Sequence, residues 1–185
     1  MTKKSLYIFG AITLLVFPLP TFIVFYFFED FDLINVFQFE RLTLYNTAIG
    51  SAVGIAYAFL SLFLMRAKVF DKLPTRIETI VKNMRLNFWD CLLISICAGV
   101  GEELLFRSGV QFYLGPIITS ILFVAIHGYL NPMNWRMSLY GLIVLPFIFI
   151  ISYGFYEFGI WFSIMAHITY DLVLFLSMSE KTTEI

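Results

Sequence analysis

Charge-free apolar runs divide the chain. A spanning helix needs roughly 20 apolar residues, and six candidates of this kind can be marked off: Leu6–Phe28, Leu44–Met65, Phe88–Phe106, Pro116–Leu130, Met137–Phe155 and Phe158–Met178. Pro18 and Pro20 predict a kink in the first. Gly50 and Gly54 in the second favour close approach of a neighbouring helix, as small residues do in membranes. The fourth run is short, so it is expected to tilt or to stop before one interface. The pattern predicts an all-α, polytopic integral membrane protein, about six transmembrane helices in one bundle, forming a single domain over residues 1–185.

The connections set an expected orientation. Lys3 and Lys4 precede the first run, which is too long for a signal peptide and has no small-residue cleavage site, so it reads as a retained anchor. The first connection, "EDFDLINVFQFER", is acidic, whereas Arg66 to Asn87 holds Arg66, Lys68, Lys72, Arg76, Lys82 and Arg85 against Asp71 and Glu78. The positive-inside rule makes the N-terminus and this second connection cytoplasmic, and an even number of spans brings the C-terminal "SEKTTEI" to the same side of the cell membrane. Within the second connection, "RIETIVKNMRLN" reads as an amphipathic segment on the cytoplasmic surface, its basic residues near anionic lipid headgroups. Trp89 and Trp135 stand near helix ends, where aromatic belts form, and Trp161 about a turn inside one.

Composition agrees with the runs: 60% hydrophobic and 14% charged residues lie outside the range of soluble domains. With 185 residues there is no room for a separate soluble domain of ordinary size beside the helices. A net charge of -1, with no basic patch interleaved with aromatics, argues against a nucleic-acid partner. Cys91 and Cys97 fall in one apolar run on different helix faces and read as buried, chemically inert side chains.

Against this background six residues stand out. Glu102, Glu103, Arg107, His127, His167 and Asp171 sit inside or at the ends of apolar runs, where each ionisable group costs at least ~2.5 kcal/mol unless paired or hydrated. They must face one another or a water-filled cavity. Glu103 and Arg107 are four apart with the acid first, a favourable helical ion pair, so they are expected to support the site while Glu102, about 100° round the helix, points elsewhere. His167 and Asp171 are also four apart, so Asp171 can accept from one ring nitrogen and fix the tautomer. His127 arrives from another helix. A carboxylate and two imidazoles together can activate water and stabilise the oxyanion formed when it attacks a carbonyl. The set Glu102, His127, His167 and Asp171 also suits zinc.

These residues form patterns that resemble those of the CPBP family, also called Abi or type II CAAX prenyl endopeptidases: "EELLFR" (Glu102–Arg107) is similar to the family's EExxxR motif, "FVAIH" (Phe123–His127) to FxxxH, and "HITYD" (His167–Asp171) to HxxxN/D. All three come in order, over residues 86–178, which the resemblance identifies as a CPBP-like catalytic core. It implies an intramembrane endopeptidase acting on a membrane-associated, prenylated or leader peptide, with Glu102 and His127 activating water while His167 and Asp171 shape the oxyanion site. Two positions depart from the pattern. Ser108 stands where the family often has glycine, and Asp171 stands where eukaryotic relatives have asparagine; an ionised aspartate cannot donate to an oxyanion. Asp171 is therefore expected to orient His167, to bind a metal, or to be protonated. The competing reading is a non-enzymatic bacteriocin-immunity or regulatory membrane protein whose polar cluster only holds helices together. A proton-relaying transporter is the third, without the half-repeats such proteins show.

Overall fold

The computed structural model of the chain describes residues 2–29, 32–70 and 84–180. Its helices are α1 (Lys3–Val16), α2 (Leu19–Phe28), α3 (Leu44–Leu64), α4 (Phe88–Glu103), a π-helical stretch (Leu104–Val110), α5 (Gln111–Ile126), α6 (Trp135–Phe158) and α7 (Ile160–Glu180), with short 3-10 turns in the connections and no strand among the described residues. Most of the amphipathic segment Arg76–Asn87 and most of "SEKTTEI" lie outside the described residues.

Local chemistry starts several of these helices. Thr2, Thr43 and Asn134 each accept from a backbone N–H in the first turn of α1, α3 and α6, which satisfies a donor that a helix start otherwise leaves bare. At α4 Asn87 and Asp90 form a reciprocal capping box, each side chain taking the other's backbone N–H at 2.9 Å. Pro18 separates α1 from α2, as the proline pair predicts, because proline lacks the N–H that would continue the ladder.

Five stretches among the described residues are long and apolar enough to cross a membrane: Lys3–Phe28, Leu44–Leu64, Phe88–Ile126, Met137–Phe158 and Ile160–Ser179. The expected third and fourth helices form the continuous stretch Phe88–Ile126, interrupted at Gly115, whose φ of 71° and ψ of 172° are not helical. Beyond the bend only Pro116–Ile126 remains helical, about 16 Å at 1.5 Å per residue, half a bilayer core. Non-helical backbone at such depth is tolerated where it is buried in protein or lines a cavity.

Two clusters mark the ends of the bundle. At one, Lys3 and Tyr7 bond the Asp90 carboxylate and Cys91 Sγ lies 3.8 Å from Ser179 Oγ, so the start of α1, the start of α4 and the end of α7 share an end. At the other, Arg41 Nη1 donates to the Tyr156 and Glu157 carbonyls at 3.0 and 3.3 Å, and Ile160 N–H to Gln38 Oε1 at 3.0 Å, which ties the first connection to the α6–α7 turn. Cys91 and Cys97 are both free and buried.

The helix that matters most for the site, α7, is gripped by α3. A Cβ on Gly50 or Gly54 would overlap the carbonyl oxygens of Phe162 and Ala166, so only glycine permits this approach. Thr169 Oγ1 then donates to the Ser51 carbonyl 3.1 Å away across the seam. The largest apolar core, with Phe106, Phe123, Phe147, Phe162 and Tyr170 buried in it, fills the space between the π-helical stretch and α3, α5, α6 and α7. The polar residues of the site lie beside that core.

Candidate active site

The bend at Gly115 sets the depth of the site. Glu102 lies thirteen residues before Gly115 and His127 twelve after it, so the limb that returns from the bend carries His127 back to the level of Glu102. Phe106 on the outgoing limb and Phe123 on the returning one meet edge to face, ring centroids 4.9 Å apart, which holds the limbs together as apolar aromatic pairs do. Just after Glu102 and Glu103 the helix widens to i→i+5 bonding over Leu104–Val110. Such π turns are rare and frequent at functional sites.

His127 occupies the C-cap of α5, and its backbone is locked by a Schellman motif. Gly128 N–H donates to the Ala125 carbonyl at 2.9 Å and Tyr129 N–H to the Val124 carbonyl at 3.2 Å, while Gly128 takes a left-handed φ of 75°. Open space surrounds the place a Cβ would take there, so replacing this glycine costs only the backbone conformation. Gly128→Ala is expected to lower stability by about 1 kcal/mol, with Gly128→Asn recovering part of it. Thermal melting checks this; an alanine variant with unchanged melting would show that the left-handed turn is not held.

The residues singled out in the sequence come together. His127 Nε2 lies 3.5 Å from Glu102 Oε2, His167 Nε2 lies 4.0 Å from the same oxygen, and Asp171 Oδ2 lies 3.5 Å from His167 Nε2. Glu103 and Arg107 form the expected ion pair, Nε to Oε2 at 2.8 Å, both side chains fully buried. What spacing did not show is the second oxygen of Glu103: Oε1 accepts from His167 Nδ1 at 2.8 Å. The carboxylate in bonding contact with the His167 ring is therefore Glu103, while Asp171, four residues along the same helix, faces the opposite nitrogen at longer range.

These contacts constrain the protons. A carbonyl oxygen can only accept, so His127 Nδ1, 2.7 Å from the Phe123 carbonyl, is the donor there, and in the neutral ring Nε2 turns its lone pair towards Glu102. His167 likewise donates from Nδ1 to Glu103 and presents Nε2 between Glu102 and Asp171. Side-chain exposure follows the same division: Glu102, Asp171 and His127 keep 12%, 22% and 29% of theirs, whereas Glu103 and Arg107 keep none. Tyr129 stacks nearly parallel to the His127 ring at 5.9 Å. Among the described residues no group of three or more His, Cys, Asp or Glu side chains is disposed to hold a metal ion.

Three further residues complete the surroundings. Arg107 Nη1 donates to Ser152 Oγ at 2.6 Å and lies 3.4 Å from Gln111 Oε1, Gln111 Nε2 donates to the Ser152 carbonyl at 2.9 Å, and Ser120 Oγ lies 2.8 Å from Ser152 Oγ. None was marked by sequence. Gln111 stands one turn beyond Arg107 in an otherwise apolar stretch, and that spacing was the available signal; a serine in an apolar helix carries none, since it usually satisfies itself on its own helix.

Among models of protein families, the one described as type II CAAX prenyl endopeptidase Rce1-like matches residues 84–173, a stretch that holds all three motifs. No curated protein sequence and no solved structure matches the chain.

Proposed function

We infer, from a chain whose residues 84–173 belong to the CPBP (Abi) family, that this membrane protein is an endopeptidase that hydrolyses a peptide bond of a membrane-associated, prenylated or leader peptide. The observation that carries the reading is the meeting of Glu102 Oε2 with His127 Nε2 at 3.5 Å, where one side chain only accepts and the other, in its neutral form, presents a lone pair. A water that donates one hydrogen to each turns its own lone pair outwards. Attack on the scissile carbonyl carbon then transfers a proton to Glu102 and places negative charge on the carbonyl oxygen. In its imidazolium form His167 keeps Nδ1–H on Glu103 and offers Nε2–H to that oxyanion, the electrostatic contribution that is usually largest in acyl transfer. Collapse of the intermediate breaks the C–N bond, and the leaving amine takes the proton from Glu102. Asp171 supplies charge at the Nε2 side of His167 and no hydrogen bond to the oxyanion.

The test uses purified full-length protein in detergent with two internally quenched peptides, one ending in a farnesylated cysteine followed by two aliphatic residues and a terminal residue, the other identical without the lipid. Cleavage after the cysteine, located by mass spectrometry, is the expected result. If neither peptide nor any member of an unbiased peptide library is cut, the peptidase reading fails and the immunity or regulatory reading takes its place.

A further inference from the structure

Ser152 has an unusual position for a serine in an apolar helix. It is fully buried and bonds residues of both limbs of the Gly115 hairpin. The direction of each bond can be assigned. Arg107 Nη1 can only donate, so Ser152 Oγ accepts from it at 2.6 Å. Ser120 Oγ gives its one hydrogen to the Pro116 carbonyl at 2.7 Å, so in the 2.8 Å contact between the two hydroxyls Ser152 is the donor and Ser120 the acceptor. The result is a continuous network: Glu103 accepts from both His167 Nδ1–H and Arg107 Nε–H, and from Arg107 the bonds run in one direction, Nη1–H to Ser152, Ser152 O–H to Ser120, and Ser120 O–H to Pro116. Each hydroxyl in it accepts once and donates once.

The two ends of this network are the parts that set the site. One end orients His167 through Glu103 and Arg107 on the outgoing limb. The other reaches Pro116, the first residue of the returning limb that carries His127. We propose that Ser152 is a positioning residue through which α6 sets the separation of Glu102 and His127 while aiming His167; this rests on the peptidase reading only for its effect on turnover. Neither Ser120 nor Gln111 can replace it, because Ser120 touches only the returning limb and Gln111 continues the outgoing one.

Ser152→Ala is expected to lower kcat between about tenfold and a hundredfold, the range for a misplacement of catalytic groups by a fraction of an ångström to one ångström, while KM for the farnesylated peptide stays within about twofold, since no substrate contact is lost. A second measurement does not depend on activity. The chain has two histidines, so protein labelled with 15N-histidine gives two imidazole spectra, assigned with His127→Gln. Ser152→Ala should shift both rings, Ser120→Ala the His127 ring alone, and Ser51→Ala, whose hydroxyl bonds only the Thr47 carbonyl of its own helix, neither. Unchanged imidazole spectra in Ser152→Ala would overturn the proposal, as would equal shifts in Ser51→Ala. A wild-type protein that cuts no peptide but shows the predicted shifts would remove the peptidase reading and leave the positioning role standing.

Discussion

Glu102→Ala and His127→Ala are each expected to abolish detectable peptide cleavage while the protein still accumulates in the membrane at close to the wild-type amount. Glu102→Ala removes the general base, about 10²–10⁴-fold on its own, and His127→Ala removes the second acceptor that orients the same water, so in each variant the residual rate falls into the background. Accumulation is spared for a separate reason. Glu102 and His127 keep 12% and 29% of their side-chain exposure, so removing either leaves the other accessible to water rather than stranded in an apolar core. His127→Ala loses a ring stacked on Phe123 at 4.4 Å, but the Schellman turn beneath it is made by backbone groups and stays. Cleavage assays normalised to protein recovered from membranes separate the two effects. Wild-type turnover by either variant would remove the mechanism as written.

Glu103→Ala and Arg107→Ala are expected to behave in the opposite way, with yield and activity falling together. Both side chains are fully buried and bonded to each other at 2.8 Å, and removing one partner of such a pair leaves an uncompensated charge at a cost of about 3–5 kcal/mol. Glu103→Ala removes in addition the acceptor for His167 Nδ1, so whatever protein folds should lack the oriented ring. Arg107→Lys keeps the charge but cannot bond Glu103 and Ser152 at once with the spread of a guanidinium; it should recover yield more than activity. Recovery from membranes, thermal midpoint and cleavage rate for the three variants provide the check. Normal yield for Arg107→Ala would show that the pair does not hold the fold.

These two results separate groups that stand next to each other in the chain, and their contrast marks how far sequence reasoning reaches. Apolar runs declare themselves one residue at a time, because the cost of a charge in lipid depends on that residue's own chemistry and depth. Helix class, membrane setting and the residues that needed an explanation, Glu102, Glu103, Arg107, His127, His167 and Asp171, were therefore legible without coordinates. So was the Glu103–Arg107 pair, since four residues along a helix is a fixed distance.

The rest depended on contacts that no local rule specifies. His167 and Glu103 are 64 residues apart, and the spacing within α7 pointed only to Asp171, which faces the other ring nitrogen at 3.5 Å. That the third and fourth runs join in one stretch folded back at Gly115 was not legible, because a run of apolar residues shows its composition but not where its backbone turns; the positive φ of Gly115 and the short limb that follows it are properties of the folded chain. The same bend, by bringing positions thirteen before and twelve after it to one depth, makes neighbours of Glu102 and His127. Ser152 and Ser120 gave no signal, because uncharged polar side chains are cheap enough in a helix to need no partner, and Gln111 offered only its spacing from Arg107. Apolar patterning and local spacing decided what this protein is made of and which of its polar residues needed partners, since those follow from each residue's own free energy in lipid. Only tertiary structure decided which of them touch, because pairing across helices is a property of the packed bundle and not of any one segment.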